Sequence, residues 1–182
     1  MNIIGNNLEK EINNIIHLMN KSPGSEYDAT KICYNLWLGN MNVAYDDIFF
    51  NKYKVSHIID VTPEKIDHYR NISCTKIPIY DRDAHKFEKE IFNYMINGAK
   101  IIHDKINNGQ VVLVHCKRGH HRSASIVILY LMKYHQMSLL EAIKIIKQKR
   151  PTAIRRISCM VKLLIKYEIT RKSKKEIILS FV

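Results

Sequence analysis

The order of apolar and polar residues predicts alternating strands and helices along most of the chain. Four short apolar runs bounded by turn-forming residues are typical of strands, at residues 31–38, 55–61, 74–80 and 111–115. Apolar residues that recur every three or four positions predict helices at residues 43–51, 87–106, 122–135, 138–149 and 157–170. This alternation is typical of a single α/β domain with a central, mostly parallel sheet flanked by helices.

Two local signals support this fold prediction. The run Val-Val-Leu-Val-His at residues 111–115 is apolar on both faces, as expected of a central strand that helices cover on both sides. Ser138 and Glu141 have the spacing of a capping box, which indicates a helix start, and Pro151 favours the end of that helix. The sequence therefore predicts that residue 115 ends a buried strand at the centre of the sheet.

The first residues predict a helical extension ahead of this domain. One face of the predicted helix carries an apolar stripe, formed by Leu8, Ile12, Ile15, Ile16 and Met19. Residues 21–26, Lys-Ser-Pro-Gly-Ser-Glu, then break the helix. The stripe packs either on its own domain or on a second copy of the chain, as a homodimer. We expect an N-terminal helical extension and linker at 1–29, one domain at 30–170, and a basic C-terminal tail at 171–182.

Composition and charge narrow the class of protein. The 182 residues are 46% hydrophobic and 25% charged, as in ordinary globular proteins. No apolar run reaches the roughly 20 residues of a membrane span, and the first residues lack the pattern of a secretion signal, so we expect a cytoplasmic protein. The net charge of +12 favours anionic partners, although a compositional bias toward lysine explains it equally well.

The residues that indicate chemistry are His-Cys-Lys-Arg-Gly-His-His-Arg-Ser at 115–123. They stand between the predicted central strand and a predicted helix, where backbone N–H groups can surround an anion. Gly119 permits the torsions of a tight loop, and Cys116 and Arg122 begin and end it. N–H donors, a helix dipole and a guanidinium would stabilise a thiolate and would also bind a phosphate. The loop therefore predicts a nucleophilic cysteine that attacks phosphate esters.

This chemistry requires an acid but no metal or organic cofactor. The four cysteines form no C-x-x-C pair, so a zinc site has little support. A leaving oxygen needs a proton, and the upstream candidates are Asp81, Asp83 and Asp104. Asp104 falls late in a predicted amphipathic helix and is expected to face solvent. Asp81 and Asp83 follow a predicted strand at the sheet end where ligands gather, so either is a candidate.

The pattern H-C-x-x-G-x-x-R-S resembles the signature of the cysteine-based protein tyrosine phosphatase superfamily, and more closely its dual-specificity branch. The similarity runs over residues 30–168 and includes Asn-Leu-Trp-Leu-Gly-Asn, Val-Ser-His-Ile-Ile-Asp and Ile-Pro-Ile-Tyr-Asp. It implies the phosphatase fold and hydrolysis of phosphotyrosine and phosphoserine or phosphothreonine through a phosphocysteine intermediate. Residues 150–160 depart from the branch, which leaves the packing of the last helix open.

The resemblance also implies roles for individual residues. Its I-P-x-x-D pattern puts the acid on Asp81, with Asp83 as the alternative because Asp81 lies further from the cysteine than the branch suggests. It gives His115 the role of ordering the loop by hydrogen bonds. Ser123 either donates its hydroxyl to the sulfur when the thiolate leaves or bonds to the backbone at the helix start.

The loop is more basic than is usual for this branch. Lys117, Arg118, His120 and His121 join Gly119 and Arg122 as the predicted substrate-binding residues. Phosphoprotein substrates are favoured, while this charge keeps phosphoinositides, inositol pyrophosphates and RNA 5′-phosphates open as alternatives. Nucleic acid is the least favoured because no aromatic residue flanks the loop. A non-catalytic phosphate-binding module is disfavoured because cysteine, arginine and candidate acids are all present.

Overall fold

The computed structural model describes residues 2–19, 28–65, 72–80 and 86–179. Its five strands form one sheet in the order β1-β2-β5-β3-β4. The strands are β1 (Ala29–Cys33), β2 (Leu36–Gly39), β3 (Val55–Asp60), β4 (Ser73–Lys76) and β5 (Val111–His115). Only the β1–β2 pair is antiparallel among the pairs described, and β5 lies between the parallel neighbours β2 and β3. The prediction of a mostly parallel α/β sheet is confirmed.

Six α-helices accompany the sheet in the described part of the chain. They are α1 (Asn2–Met19), α2 (Asp47–Tyr53), α3 (Glu88–Asn107), α4 (Arg122–Tyr134), α5 (Leu139–Lys149) and α6 (Cys159–Leu179), and a 3₁₀ turn at Asn42–Tyr45 precedes α2. Ser138 caps α5 in a capping box with Glu141, as predicted. The helix predicted at 43–51 is instead this turn followed by α2, because Asp46 caps a new helix by accepting a hydrogen bond from Phe49 N.

The single strand predicted at residues 31–38 is wrong. The chain folds back after β1, and Cys33 pairs with Leu36 across a turn formed by Tyr34 and Asn35. Asn35 adopts a φ of 57°, a left-handed conformation that asparagine tolerates better than most residues. Because the flanking residues are apolar, the periodicity of the sequence does not reveal this turn.

Strand β5 has helices on both sides, as its composition predicts. Val112 and Val114 face the larger core, to which α1 and α3–α6 contribute. Leu113 faces the opposite side, where it packs with Trp37, Phe49 and other residues around α2. Each of the three β5 side chains is 0% exposed. A strand anchored on both faces provides a rigid base for the loop that follows His115.

Helix α1 packs on its own domain. Ile15 and Met19 are each only 2% exposed and belong to the main core. Lys147 of α5 donates to the Met19 carbonyl at 3.4 Å, and Lys172 of α6 forms an ion pair with Glu11 at 2.6 Å. The described part of the apolar stripe therefore has an intramolecular partner, and the homodimer stays a prediction.

The last described helix passes the predicted domain boundary at residue 170. Helix α6 continues to Leu179, through the segment expected to be a basic tail. Arg171 donates to the carbonyls of Met132 and Met137, each at 2.8 Å, and pairs with Glu168 at 2.7 Å. Arg171, the first residue of the predicted basic tail, therefore contacts the folded domain. None of the helices in the described ranges is long and apolar enough to cross a membrane.

Candidate active site

The sequence-predicted loop lies at the carboxyl end of β5 and leads directly into α4. Cys116 follows the strand and is 3% exposed, while Arg122 is the first residue of α4. A cavity of about 410 Å³ opens above the loop. Its described lining consists of Cys116, Lys117, Arg118, His120, His121, Arg122, Arg155 and Arg156. Most of the residues predicted to bind substrate therefore share one cavity with the predicted nucleophile.

The sulfur of Cys116 accepts two hydrogen bonds. Gly119 N donates at 3.3 Å, and Ser123 Oγ donates at 3.3 Å. The sulfur also lies before the N-terminus of α4, where the helix dipole is positive. All three features stabilise negative charge on sulfur, which is the form that acts as a nucleophile. Of the two alternatives for Ser123, the geometry favours donation to sulfur.

Gly119 is required by the tightness of the loop. Its φ is +68°, and a Cβ at this position would lie 2.6 Å from the carbonyl oxygen of Gly39 and 2.7 Å from Arg150 Nη2. A side chain would therefore clash with backbone at the end of β2 as well as strain its own torsions. Glycine lets the loop pack against β2 and lets its own N–H face the sulfur.

The carbonyl oxygens of residues 117–120 are all bound by groups outside the loop. Met41 N donates to the first at 3.3 Å, and Ile154 N donates to the last at 2.7 Å. Arg150 binds the two between them, at 3.4 Å and 3.2 Å. In a trans peptide the N–H points opposite to the C=O. Since all four carbonyls point outward, the N–H groups that follow them point toward the cavity, where they form a cradle of donors suited to an anion.

Arg150 is the buried centre of this support. It is 2% exposed, and besides the loop carbonyls its Nη1 donates to Thr30 Oγ1 of β1 at 3.2 Å. A buried guanidinium requires several acceptors to offset its lost hydration. Arg150 thus joins β1 and the loop, and no local sequence pattern indicates this role because its partners lie 31 to 120 positions away.

Arg122 reaches the segment that follows β4. Its side chain is 6% exposed and Nη1 donates to the carbonyl of Ile79 at 3.1 Å. This contact holds the guanidinium at the wall of the cavity it shares with Cys116. It also places Ile79, which precedes the predicted acids by two and four residues, next to the site.

The predicted acids Asp81 and Asp83 lie outside the described residues. Asp104, the third candidate, is on α3 with its side chain 46% exposed, and it pairs with Lys100 one turn earlier. It does not belong to the described lining of the cavity. Asp104 therefore faces solvent as predicted, and the acid stays a prediction for the segment after Tyr80.

A buried polar cluster surrounds His115, the residue that directly precedes the loop. His115 is 0% exposed and its Nε2 lies 3.8 Å from Asp60 Oδ1 on the neighbouring strand β3. The Asp60 carboxylate also accepts from Thr62 N and Oγ1, at 2.9 and 2.7 Å, and pairs with Lys76 at 2.6 Å. These contacts compensate the burial of the charge. Sequence reasoning identified His115 but missed Asp60 and Lys76, because strand register brings them together.

Arg155 and Arg156 also line the cavity, and sequence reasoning did not assign them to the site. They lie between α5 and α6, just after Ile154, whose N–H binds the loop. Ile154 is 0% exposed and has a φ of 49°, which is rare for a β-branched residue. This fixed residue directs the following pair of arginines to the cavity. The one available signal was the adjacent Arg-Arg in a stretch that departs from the branch.

Cys33, Cys74 and Cys159 are not among the described residues that line the cavity. Burial raises the pKa of the Cys33 and Cys159 thiols, which favours their protonated, unreactive form. Cys74 lies on the edge strand β4. Across the described ranges, no three His, Cys, Asp or Glu side chains are grouped closely enough to hold a metal ion. Cys116 is thus the described thiol that is placed to act on a bound anion.

Comparisons with known proteins agree with this geometry. The family "Dual specificity phosphatase, catalytic domain" matches residues 36–170. Protein 123R of Invertebrate iridescent virus 6, named as a tyrosine phosphatase, is 34% identical over 123 residues, which are 68% of this chain and 80% of that protein. Human dual specificity protein phosphatase 21 is 32% identical over 129 residues, 70% of this chain but only 65% of that protein.

A solved structure shows the same fold. The crystal structure of human DUSP28 has a TM-score of 0.72 and 20% identity, and the match covers 83% of this chain and 99% of that one. Fold, loop geometry and family match therefore lead to one conclusion. The chain belongs to the dual specificity phosphatase catalytic domain family, in the dual-specificity branch of the cysteine-based protein tyrosine phosphatases.

Proposed function

We propose that this chain hydrolyses phosphate esters of tyrosine, and of serine or threonine, in proteins through a phosphocysteine intermediate on Cys116. One observation carries the proposal. The Cys116 sulfur accepts hydrogen bonds from Gly119 N and Ser123 Oγ inside a cavity that it shares with Arg122. A stabilised sulfur nucleophile and a phosphate-binding guanidinium in one cavity are what phosphoryl transfer to cysteine requires.

In the first step the sulfur attacks phosphorus, and the bond from phosphorus to the ester oxygen breaks. Negative charge is spread over three oxygens in the transition state. Arg122 and the inward N–H groups of the loop supply preorganised donors to these oxygens, so little reorganisation is needed during the reaction. The leaving oxygen takes a proton from the acid, and the products are an alcohol or phenol and phosphocysteine.

In the second step water attacks the phosphocysteine and the phosphorus–sulfur bond breaks. The same carboxylate that gave its proton accepts one from the water, and inorganic phosphate is released. The thiolate that leaves recovers the two hydrogen bonds from Gly119 and Ser123. Ser123 therefore acts on the leaving group of this step.

We assign the acid to Asp81, with Asp83 as the alternative. The support is that Arg122 binds the carbonyl of Ile79, two residues before Asp81 and four before Asp83 in sequence. The residues before these aspartates are thus in contact with the loop. Asp104 is not a competitor, because it pairs with Lys100 on the surface of α3.

The substrate is tested by phosphate release from a phosphotyrosine peptide, a phosphothreonine peptide, an inositol polyphosphate and 5′-triphosphorylated RNA, all with a chelator present. We expect turnover of both peptides and a loss of at least about a thousandfold in Cys116→Ser. The variant's melting temperature serves as the control for folding. No peptide turnover by the folded wild-type protein would overturn the proposal.

The acid is tested by Asp81→Asn and Asp83→Asn measured in parallel. Loss of general acid catalysis lowers kcat by about 10²–10⁴-fold for a substrate with a poor leaving group. The loss is smaller for an aryl phosphate whose leaving oxygen needs little protonation. The variant that shows this dependence on the leaving group identifies the acid, and equal small losses in both would contradict either assignment.

We also propose the domain limits, the cellular location and the oligomeric state of the enzyme. The catalytic domain begins near residue 30, and α1 supports it by packing on α5 and α6. We place the protein in the cytoplasm, where free thiols such as Cys33 and Cys116 stay reduced. Fractionation of cells that express the tagged chain tests the location, and sedimentation tests the predicted homodimer.

A further inference from the structure

The cavity above Cys116 is more basic than transfer of one phosphoryl group requires. Arg122 and the loop N–H groups already face the phosphoryl site, yet Lys117, Arg118, Arg155 and Arg156 also line the cavity. None of the described residues that line it is acidic. A volume of about 410 Å³ is in the range of pockets that hold a drug-sized ligand, so the cavity admits more than a phosphoryl group.

Arg155 and Arg156 differ from the other basic residues in origin. They come from the connection between α5 and α6 and not from the catalytic loop. The backbone that carries them is fixed, because Ile154 N binds the His120 carbonyl at 2.7 Å and Ala153 N binds the Arg150 carbonyl at 3.0 Å. Both arginines are exposed, so they stay hydrated and available to a ligand. They form a second basic wall on a rigid support.

We propose that Arg155 and Arg156 form a subsite for a second anionic group of the phosphopeptide substrate. The group is the carboxylate of a neighbouring acidic residue or a second phosphate, since a guanidinium binds both in the same planar geometry. The inference rests on the proposed function of Cys116. It assigns to these two arginines the selection among phosphopeptides, whereas Arg122 and the loop bind the phosphoryl group that is transferred.

The test uses three peptides with one phosphotyrosine and otherwise matched sequences. Their flanking residues are neutral, glutamate-rich, or neutral with one added phosphoserine. The value of kcat/KM is measured for wild type and for Arg155→Gln/Arg156→Gln. The matched control is Lys89→Gln/Lys144→Gln, which removes the same charge from exposed positions on α3 and α5 outside the described lining. Melting temperatures verify that all variants fold.

We expect the wild type to prefer at least one anionic peptide over the neutral peptide by about fivefold to tenfold, as for contacts of two partly screened arginines. This ratio falls toward one in Arg155→Gln/Arg156→Gln and persists in the lysine control. The preferred peptide shows whether the carboxylate or the second phosphate is bound. Added salt weakens the preference, because the subsite is exposed.

Several results would overturn the inference. They are turnover without preference in the wild type, a ratio unchanged in the arginine variant, or an equal fall in the lysine control. Hydrolysis of an inositol polyphosphate faster than all peptides, lost in the arginine variant, would reassign the subsite to a small molecule. These outcomes differ from failure of the proposed function, in which the wild type hydrolyses none of the peptides.

Discussion

At the residue scale, the chemistry depends on the hydrogen bonds that reach one sulfur atom. Cys116 Sγ accepts hydrogen bonds from Gly119 N and from Ser123 Oγ, each at 3.3 Å. The backbone donor belongs to the loop and cannot be removed without changing its shape. The hydroxyl of Ser123 can be removed without changing the backbone. A Ser123 variant can therefore distinguish the formation of phosphocysteine from its breakdown.

We predict that Ser123→Ala slows breakdown of phosphocysteine more than its formation. Without the hydroxyl, the departing thiolate loses one donor, and we expect kcat to fall roughly tenfold or more. With para-nitrophenyl phosphate the variant then shows a burst of about one nitrophenol per active site, followed by slow turnover. Rapid-mixing absorbance measures both phases.

The chain offers a matched control for this substitution. Ser125 is also 0% exposed on α4, and its Oγ has no hydrogen-bond partner among the described residues. Ser125→Ala removes the same atoms without touching the sulfur and keeps wild-type kinetics. A Ser123→Ala variant that slows the burst phase and the steady state equally would contradict a role specific to the leaving thiolate.

At the element scale, the connection from β5 to α4 has the shape of a preformed cradle for an anion. Its shape depends on outward carbonyls bound by Met41, Arg150 and Ile154, and on the close approach of Gly119 to Gly39. The strand before it is anchored on both faces, and the helix after it is buried along most of its length. The shape of the cradle therefore depends on two other segments, the end of β2 with Met41 and the connection after α5, as well as on its own sequence.

We predict that Gly119→Ala abolishes most activity. The new Cβ would lie 2.6 Å from the Gly39 carbonyl oxygen, so the loop must shift away from β2. Its N–H groups then no longer point toward the phosphoryl oxygens. We expect kcat/KM to fall by about a hundredfold or more, the loss typical of one misplaced oxyanion donor. Steady-state kinetics and the melting temperature measure the two effects.

Gly109 is the control for the torsional part of this change. It also has a positive φ, of 75°, but a Cβ there meets no atom within 4 Å. Gly109→Ala therefore carries the backbone strain of about 1 kcal/mol without the clash, and retains activity. Equal effects of the two substitutions on activity would show that contact with β2 does not shape the loop.

The sequence predicted those features that depend on residues only a few positions apart. Cys116 and Arg122 were found because a short loop keeps them close, and the capping box of Ser138 was found because its partners are three residues apart. The turn at Asn35 was missed because apolar residues flank it. Arg150 and Arg155 were missed as parts of the site, since only the packing of α5 and its following connection brings them to the loop.

At the scale of the whole molecule, we expect one buried histidine to make stability depend on pH. His57 of β3 is 3% exposed, and its ring contacts β4, with Nδ1 2.6 Å from Ser73 Oγ and Nε2 3.0 Å from Thr75 Oγ1. Ser73 Oγ already donates to the Ser56 carbonyl, so it accepts from Nδ1–H of the ring. Burial, followed by the charge of Lys105, lowers the pKa of His57 from 6.5 to about 4.

We predict that the free energy of unfolding falls as the pH drops from about 6.5 to about 4. In this window the unfolded chain binds a proton at residue 57, while the folded chain does not. His57→Gln keeps polar groups near Ser73 and Thr75 but cannot titrate, so its stability depends less on pH. Urea unfolding at several pH values measures the difference.

The exposed His17 on α1 provides the comparison for this effect. His17→Gln also removes one histidine, but it does so at the surface, and its stability follows the wild-type dependence on pH. If His57→Gln retained the full dependence, the buried ring would not be the cause. Stability would then be governed by other groups that titrate over the same window.

The central claim is that Cys116 becomes phosphorylated during turnover. The most direct measurement is acid quenching of the protein during hydrolysis of a phosphotyrosine peptide, followed by intact mass and peptide mapping. Ser123→Ala is included because slow breakdown accumulates the intermediate. We expect the added mass of one phosphoryl group on the peptide that contains Cys116, and none in Cys116→Ser. Turnover with no adduct, or with the phosphoryl group on His120 or His121, would contradict the account.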